Sequence, residues 1–451
     1  MFIDAKTVRE LELFSGGDRG PCVFDMLDYT RTKGGRRALQ NRIEHPLADA
    51  QALRHVQSGI RFLLEHDIAF PIDQELIRKI ERYLDSSWVI GLKRRGVLRL
   101  LESRWVAWRY REFMSYVDEG VAAVMTLLYR VQDLLGQLDG LDPPGAVGDL
   151  TQQLAELISR VAPESIRTER DPWVILDTDR ALRDRNRAAV LNVIELSYEL
   201  DALCSMAVAG RTRSLAFPEI VDSKEFLLEG DGVFHLFLEN PVVNPVRLDA
   251  GKSLMFLTGP NMAGKTTYMK AVAVAVVLAH LGMGVPASRF RIAPVQALFT
   301  SLTPEDNLRS GLSYFMAEVR RVREIVEGVL QWERSLVLVD EVFKGTNVKD
   351  ALEASRLVIR GFSQNRTSGF IVSSHLVELA EELKDRESIQ FSYFDGAIKD
   401  GQADYRYTVR SGVSDQRFGL HLLDQEGVPQ LLDKLGTVAP RDLTNDSEEQ
   451  L

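Results

Sequence analysis

Cysteine is scarce in this sequence: two residues, Cys22 and Cys204, in a chain of 451. They lie far apart, with neither a C-x-x-C pair nor a Cys/His spacing, which excludes a disulfide framework and the usual structural zinc sites. A reducing, cytoplasmic compartment is the expectation. Long apolar runs are missing too. The longest, Ala271 to Leu281, is interrupted by His280 and falls short of the about 20 residues that a bilayer-spanning helix needs, so no membrane association is expected. The N-terminal MFIDAKTVRELELF has no basic stretch leading into an apolar one, so it does not read as a secretory signal. Nor is there an excess of positive charge: 55 Lys and Arg against 65 Asp and Glu leave a net −10. That excludes a uniformly basic coat for nucleic acid while leaving room for a local basic surface. What is present is an apolar fraction of 45%, ordinary for a globular chain, and a length sufficient for about two to four domains.

Residues 1–215 read as helix after helix. Apolar positions recur at helical spacing in Ala52 to Leu64, Glu75 to Leu84, Val97 to Met114, Gly120 to Leu138, Leu150 to Val161 and Arg180 to Met206. Breaks rich in Pro and Gly, Gly140 to Leu150 and Ala162 to Pro172, separate helices rather than domains. From about Phe217 short β-rich runs alternate with helices: Ser253 to Leu257, Ala297 to Ser301, Leu336 to Val339 and Gly369 to Ser373, then a hairpin-like pair at Ile389 to Phe394 and Tyr405 to Val409. This alternation predicts a multidomain chain, an all-α domain followed over 216–432 by an α/β domain with a mostly parallel sheet. An acidic tail, 433–451, closes it.

The strongest local signal is Gly259-Pro260-Asn261-Met262-Ala263-Gly264-Lys265-Thr266, followed by Thr267, between the strand-like SLMFL and a helical run. A G-x-x-x-x-G-K-T loop in that context binds nucleotide phosphates. Its glycines let backbone N–H groups turn inward, the helix N-terminus adds its positive end, Lys265 reaches the β and γ phosphates of ATP, and the Thr266 hydroxyl is suited to Mg²⁺. The bland alternative is a chance Gly-rich turn. Downstream, Ser335 to Val339 is an apolar strand ending in Asp340 and Glu341. Asp340 would hold Mg²⁺ and Glu341 would orient or deprotonate an attacking water; acidic pairs at strand ends otherwise serve as solvated loop residues. His375 ends the next strand, at the sheet edge where ligands of open α/β folds sit. It reads either as a sensor of the γ-phosphate or as a structural imidazole.

Taken together, TGPNMAGKTTYMK, DNLRSGLSYFMAEV, DEVFKGTN, SSHLVEL and SDQRFGLHLLDQEGVP resemble the ATPase domain of MutS-type DNA mismatch-repair proteins. The helical half is similar to the core domain of the same family in FIDAKTVRELEL, MLDYTRTKGGRRALQNRIEHPLADAQAL and YELDALCSMA. The resemblance covers most of the chain, leaving roughly 90–190 loosely matched. It implies a core and lever domain followed by an ABC-like P-loop ATPase with ATP and Mg²⁺, and a homodimer with composite sites. DNA and other repair proteins are the implied partners. The segment Ser310 to Met316 would be a loop presented to the partner's nucleotide, with Ser313 on the γ-phosphate in trans. Asn261 matches the family's loop asparagine. Tyr407 falls where the family stacks a ring on adenine, the alternative being a buried strand tyrosine. The second such ring would come from Asn240 to Pro245, where only Pro241 and Val242 offer surface, so looser base selectivity is expected.

Other departures carry expectations of their own. Ala263 replaces a common Gly, tolerable where φ is negative. Asn347 replaces a common Ser after Gly-Thr. The chain begins directly at the core domain, so no mismatch-reading or connector domain is expected; 90–190 is too short and too helical for the family's clamp domain, and no C-terminal Smr nuclease segment is read. DNA candidates are Lys93, Arg94, Arg95, Arg99 and Arg104, within a stretch from Gly91 to Phe113 that has seven Lys and Arg against two Glu. Such cations give salt-dependent phosphate contacts. The competing reading is a solvated helix face above a buried stripe of Leu98, Leu101, Trp105 and Trp108. Arg31, Lys33, Arg36 and Arg37 are expected to pack rather than bind. Two function classes stay open: a DNA-binding ATPase, or a nucleotide-switched scaffold gripping a protein or ribonucleoprotein.

Overall fold

The computed structural model describes residues 1–14, 20–90, 92, 97–163, 171–260, 262–303, 314–399, 402–414 and 427–437. A short strand, β1 (Phe2–Ile3), opens the chain, and then helices follow without interruption by strands among the described residues up to Thr212. They are α1 (Ala5–Glu10), α2 (Val23–Leu27), α3 (Lys33–Glu44), α4 (Ala50–Glu65), α5 (Gln74–Asp85), α6 (Val97–Arg109), α7 (Arg111–Leu138), α8 (Gly145–Val161), α9 (Pro172–Arg180) and α10 (Arg187–Thr212). Their starts are written locally. Asp4, Thr32, Asp49 and Asp73 each turn a side-chain oxygen back onto a backbone N–H of the first turn, satisfying donors that have no partner inside the helix. Amphipathic stripes do the rest: α5 buries Leu76, Ile77, Ile80, Tyr83 and Leu84. The long α10 is buried on most of its circumference and packs against α3, α4 and α8.

Two expected helices are divided. The run from Val97 to Met114 breaks at Tyr110 (φ −124°, ψ 61°), leaving α6 and α7 as separate helices. The run from Arg180 is interrupted by a π-helical turn at Ala181–Arg185 before α10 begins. Periodicity alone does not register either break, since apolar residues continue on both sides.

The second half contains β2 (Glu219–Ile220), β3 (Leu227–Val233), β4 (Asn244–Asp249), β5 (Leu254–Thr258), α11 (Lys265–Ala279), β6 (Arg289–Ile292), β7 (Ala297–Ser301), α12 (Tyr314–Gln331), β8 (Ser335–Asp340), α13 (Val348–Gln364), β9 (Gly369–Ser373), α14 (Val377–Leu383), β10 (Ile389–Lys399), β11 (Gln402–Ser411) and α15 (Val428–Thr437). The main sheet runs β1-β7-β8-β9-β5-β10-β11 and is parallel except for the β10–β11 hairpin. β1 therefore belongs to this sheet although it precedes all the helices, which corrects the purely helical reading of 1–215. A second sheet, β2-β6-β3-β4, was not foreseen. β2 and β6 are short, and Gly230 and Gly232 interrupt the alternation of β3.

Helix α11 touches β8 of one sheet and β3 of the other, and its residues from Ala271 to Ala279 are all buried. This is the longest apolar run of the sequence, and it lies in the interior; no helix among the described residues is long and apolar enough to cross a membrane. The core is continuous from the helical half into α11 and its sheets. Contacts across residue 215 include the Gln57 amide donating to Pro218 O at 2.9 Å and Arg54 Nη2 donating to Ile220 O at 2.8 Å.

Candidate nucleotide site

Strand β5 is buried along its whole length between β9 and β10, so the loop after it opens at the carboxyl edge of the sheet. Gly259 (φ 137°) and Gly264 (φ 99°) hold left-handed conformations that L side chains avoid. A Cβ at Gly259 would lie 3.1 Å from Phe394, and one at Gly264 would lie 3.2 Å from the Tyr407 ring. Met262 is also left-handed (φ 68°) and exposed. Lys265 begins α11 and is buried, its ammonium donating to Gly259 O at 2.8 Å and Pro260 O at 3.1 Å. Burial pushes this ammonium below the usual lysine range, while Glu341 and Asp340 oppose that shift.

Thr266, the next residue, donates its hydroxyl to one oxygen of Asp340 at the end of β8; Ser373 at the end of β9 donates to the other. Glu341 is left-handed (φ 56°), as is Phe343 (φ 62°). Two such residues in a three-residue span mark a turn whose strain is held by its surroundings, a pattern concentrated at functional sites. The Glu341 N–H donates to Ser373 O at 3.2 Å, and its carboxylate lies 3.0 Å from Lys344 Nζ, 3.5 Å from His375 Nδ1 and 4.0 Å from Lys265 Nζ. Burial alone would raise the carboxyl's pKa, but hydrogen bonds from His375 and Lys344 outweigh it and hold it at about 2. Glu341 is thus an ionised carboxylate throughout the physiological range.

A cavity of about 660 Å³ covers these groups. Lys265, Thr266, Thr267, Asp340, Glu341 and Lys344 line it with polar atoms; Phe234, His235, Leu238, Val242 and Tyr407 supply an apolar wall. Tyr407 is 44% exposed, so the reading of a buried strand tyrosine is wrong. Its left-handed backbone (φ 53°) is clamped by Asn244, which donates to Tyr407 O at 2.9 Å and accepts from Val409 N at 2.7 Å. Phe234, His235, Asn244 and Lys344 escaped the sequence reading, because only folding brings the ends of β3 and β4 to this cavity.

The family models for MutS domain III and MutS domain V match residues 6–207 and 255–438. The chain belongs to the MutS family of DNA mismatch-repair proteins. Domain V is that family's ATPase domain, and its match contains Lys265, Thr266, Thr267, Asp340, Glu341 and Lys344 of the cavity, whereas His235 and Asn244 precede it. The departures from the MutS pattern are accommodated. Ala263 is fully buried and is not among the left-handed residues, meeting the condition that makes the side chain tolerable. Asn347 caps α13, accepting from Asp350 N at 3.0 Å, the job that a Ser would do. His375 is 60% exposed and meets the site through Glu341 alone among the groups named here. Asn261 and Ser313 lie outside the described residues, as do Lys93, Arg94 and Arg95.

Of the remaining DNA candidates, Arg99 is tied into the fold, 3.2 Å from Asp177 and over the Trp173 ring, whereas Arg104 is exposed. The expected buried stripe on α6 is overturned: Leu98 is 51%, Leu101 60%, Trp105 54% and Trp108 68% exposed. The face that packs is the smaller one, with Ser103 and Val106 buried. Both stripes share one helical period, and among the described residues α6 packs chiefly against α7 and α9, so spacing could not choose between them. Arg31 donates to Phe70 O and Arg36 lies over the Phe24 ring beside Asp28, as a packing role requires, whereas Arg37 is an exposed side chain 3.8 Å from an exposed Glu195 and Lys33 is exposed, its backbone N–H donating to Gln74.

Proposed function

We propose that this MutS-family chain is a DNA-binding ATPase of repair or recombination. The proposed domains are a helical core and lever domain (1–215), a P-loop ATPase domain (216–432) and an acidic tail (433–451). Two copies assemble so that each ATP is shared, with Ser313 of one contacting the γ-phosphate held by the other, and hydrolysis opens and closes the arms around the ligand. The convergence of Lys265, Thr266, Asp340 and Glu341 at one sheet edge carries this reading.

The oxygen set suits a magnesium ion. Thr266 and Asp340 offer one hydroxyl and one carboxylate, and no cluster of three or more His, Cys, Asp or Glu side chains among the described residues would make a protein-only cage. A Mg²⁺ ion that leans on substrate phosphates fits this, and when bound it would neutralise phosphate charge. The protein's part in transfer of the phosphoryl group to water is then electrostatic and geometric. Lys265 stabilises charge on the phosphate oxygens, the backbone N–H groups of Met262 and Gly264 cradle them, and Glu341 orients or deprotonates the water. His375 and Lys344 hold the Glu341 carboxylate. Tyr407 stacks on the adenine, with Val242 and Phe234 on the same apolar wall.

Binding of DNA without preference for a mismatch belongs to the proposal. Outside the two matched stretches, the described residues are 1–5, with β1, and 208–254, with β2 to β4. Titration with matched, mismatched, branched and single-stranded DNA at a stated salt concentration, with and without ATP, tests it. Matched and mismatched duplexes should differ by less than the factor of ten that about 1.4 kcal/mol represents. A clear mismatch preference overturns that part. The exposed Leu98, Leu101, Trp105 and Trp108 favour one second reading, a scaffold whose arm docks a protein or ribonucleoprotein; absence of binding to every DNA would support it.

A further inference from the structure

The turn after β8 carries both Glu341 and Lys344, and its left-handed residues, Glu341 (φ 56°) and Phe343 (φ 62°), persist only where the surroundings fix them. Three elements do so. From β9, the backbone O and the hydroxyl of Ser373 both accept from the Glu341 N–H, each at 3.2 Å. From α13, the Ser355 hydroxyl donates to Val342 O at 3.1 Å. The third element is α12, which contributes Glu318. One oxygen of its carboxylate accepts from Lys344 N at 3.0 Å and the other from Gly345 N at 3.1 Å. Three residues before it, the Phe315 ring lies 5.5 Å from that of the buried Phe343. Three residues after it, the buried Arg321 donates through Nε to Thr300 O at 3.1 Å and through Nη1 to Asp4 at 2.7 Å, which ties this part of α12 to β7.

We propose that Glu318 is a positioning residue for ATP hydrolysis: by clamping two successive amides it holds Lys344 against Glu341, and so sets where the Glu341 carboxylate points. The inference rests on the reading of Glu341 as the group that acts on water, and adds to it the residue that holds the turn from a neighbouring helix. The amides of Lys344 and Gly345 lie between β8 and α13, outside the hydrogen-bond ladders of both, so a side chain takes them instead. A carboxylate suits that task because it offers acceptors on both oxygens, whereas a carboxamide offers one and turns N–H donors toward the second amide. Its charge also strengthens each bond from a backbone N–H. Lys344 directly follows the left-handed Phe343, and its ammonium is 3.0 Å from the Glu341 carboxylate. Released from Glu318, the backbone of Lys344 is free to swing, and the cation that orients Glu341 swings with it. The anchored Arg321 makes α12 a firm base for the clamp, the kind of support that a reacting group needs from the residues behind it.

Glu318→Ala in the full chain tests this, measured beside Glu341→Gln and the double variant. Glu318→Ala should lower kcat by about 10- to 100-fold, the scale of a small misplacement of a catalytic group, while ATP affinity stays within about threefold because Lys265, Thr266 and Asp340 are untouched. The double variant supplies the decisive readout. A residue that acts through Glu341 has little left to lose once that carboxylate is gone, so adding Glu318→Ala should slow Glu341→Gln by less than about twofold. If instead the two single losses multiply, Glu318 acts on something other than Glu341 and the proposal is overturned. Native turnover in Glu318→Ala, or a loss of ATP affinity as large as the loss of kcat, overturns it as well. If Glu341→Gln alone turns over at the native rate, the reading of Glu341 falls and this inference with it, a pattern distinct from failure of Glu318 alone. Should Glu318→Ala fail to fold, Glu318→Gln keeps one acceptor and goes through the same cycle. A loss of more than about twofold that disappears in the Glu341→Gln background is expected there, and turnover closer to native overturns the proposal equally.

Discussion

Replacing Glu341 by Gln keeps the shape of the side chain and removes its charge. Three cationic or potentially cationic groups face that charge within 4.0 Å: Lys344 at 3.0 Å, His375 at 3.5 Å and Lys265 at 4.0 Å. Loss of a positioned base or water-orienting carboxylate typically costs about 10²- to 10⁴-fold in rate, or about 3–5 kcal/mol at about 1.4 kcal/mol per factor of ten. ATP affinity should move the other way or stay level. ATP is an anion, and Glu341→Gln removes a negative charge beside Lys265 that would otherwise compete for the same ammonium. The variant is therefore expected to bind ATP at least as tightly as the native chain and to release phosphate at least a hundredfold more slowly, measured by steady-state turnover and by equilibrium binding of a fluorescent nucleotide. Turnover within twofold of the native rate would refute the role given to Glu341. The pH profile adds a second check. With its carboxyl held at about 2, Glu341 stays ionised in the free protein far below neutrality, so kcat/KM should carry no acid limb from this group at physiological pH. An acid limb between about pH 5 and 7 that vanishes in Glu341→Gln would contradict the ion-pair geometry.

Tyr407→Ala should weaken ATP binding by about tenfold or more if the ring stacks on the base, since such stacking is worth about 1–3 kcal/mol; an unchanged affinity would return Tyr407 to a structural role. Asp201 is buried and accepts from Arg31 N at 3.0 Å, Thr32 N at 2.9 Å and Thr32 Oγ1 at 2.7 Å, fixing the start of α3. Asp201→Ala strands those donors and should cost about 3 kcal/mol or more in denaturant unfolding; an unshifted midpoint would refute it. His280 is fully buried and neutral by construction: Nδ1 donates to Val276 O at 2.8 Å while Nε2 accepts from Val295 N at 2.9 Å. Burial lowers its pKa to about 4. Its contribution is complete above the unfolded value of about 6.5 and is lost as pH falls from there toward about 4, about 3 kcal/mol over that window. His280→Gln should flatten this part of the stability profile, and an identical pH slope in both proteins would show that the imidazole is not the cause.

The chemistry of the site was open to reading from sequence because it is local. Gly259 to Thr266 is one contiguous stretch whose left-handed glycines, buried lysine and hydroxyl each have one job, and Asp340 closes a strand with four consecutive apolar residues, Glu341 following it. That β7, β8, β9 and β5 are parallel likewise follows from strands alternating with helices, although their order does not. Of the cavity's apolar wall, Tyr407 and Val242 were read only through the family resemblance, and Phe234, about 25 residues ahead of the loop, did not announce itself at all. The face of α6 was misread for a different reason. Leu98, Leu101, Trp105 and Trp108 obey helical spacing as well as any core stripe does, and nothing within one helix says which side its neighbours cover.

The N-terminal strand shows where local reading stops. Phe2 and Ile3 are too few to register as a strand, and their partners Ala297 and Leu298 lie almost 300 residues away. Their place is set by packing, the Phe2 ring lying 5.9 Å from Phe299 and 5.8 Å from Trp332, together with Glu10 and Asp4, acids that look like ordinary helix surface in sequence. Closing so long a loop carries an entropic cost that grows only slowly with length, about 0.6 kcal/mol for each doubling, so a few buried bonds offset it.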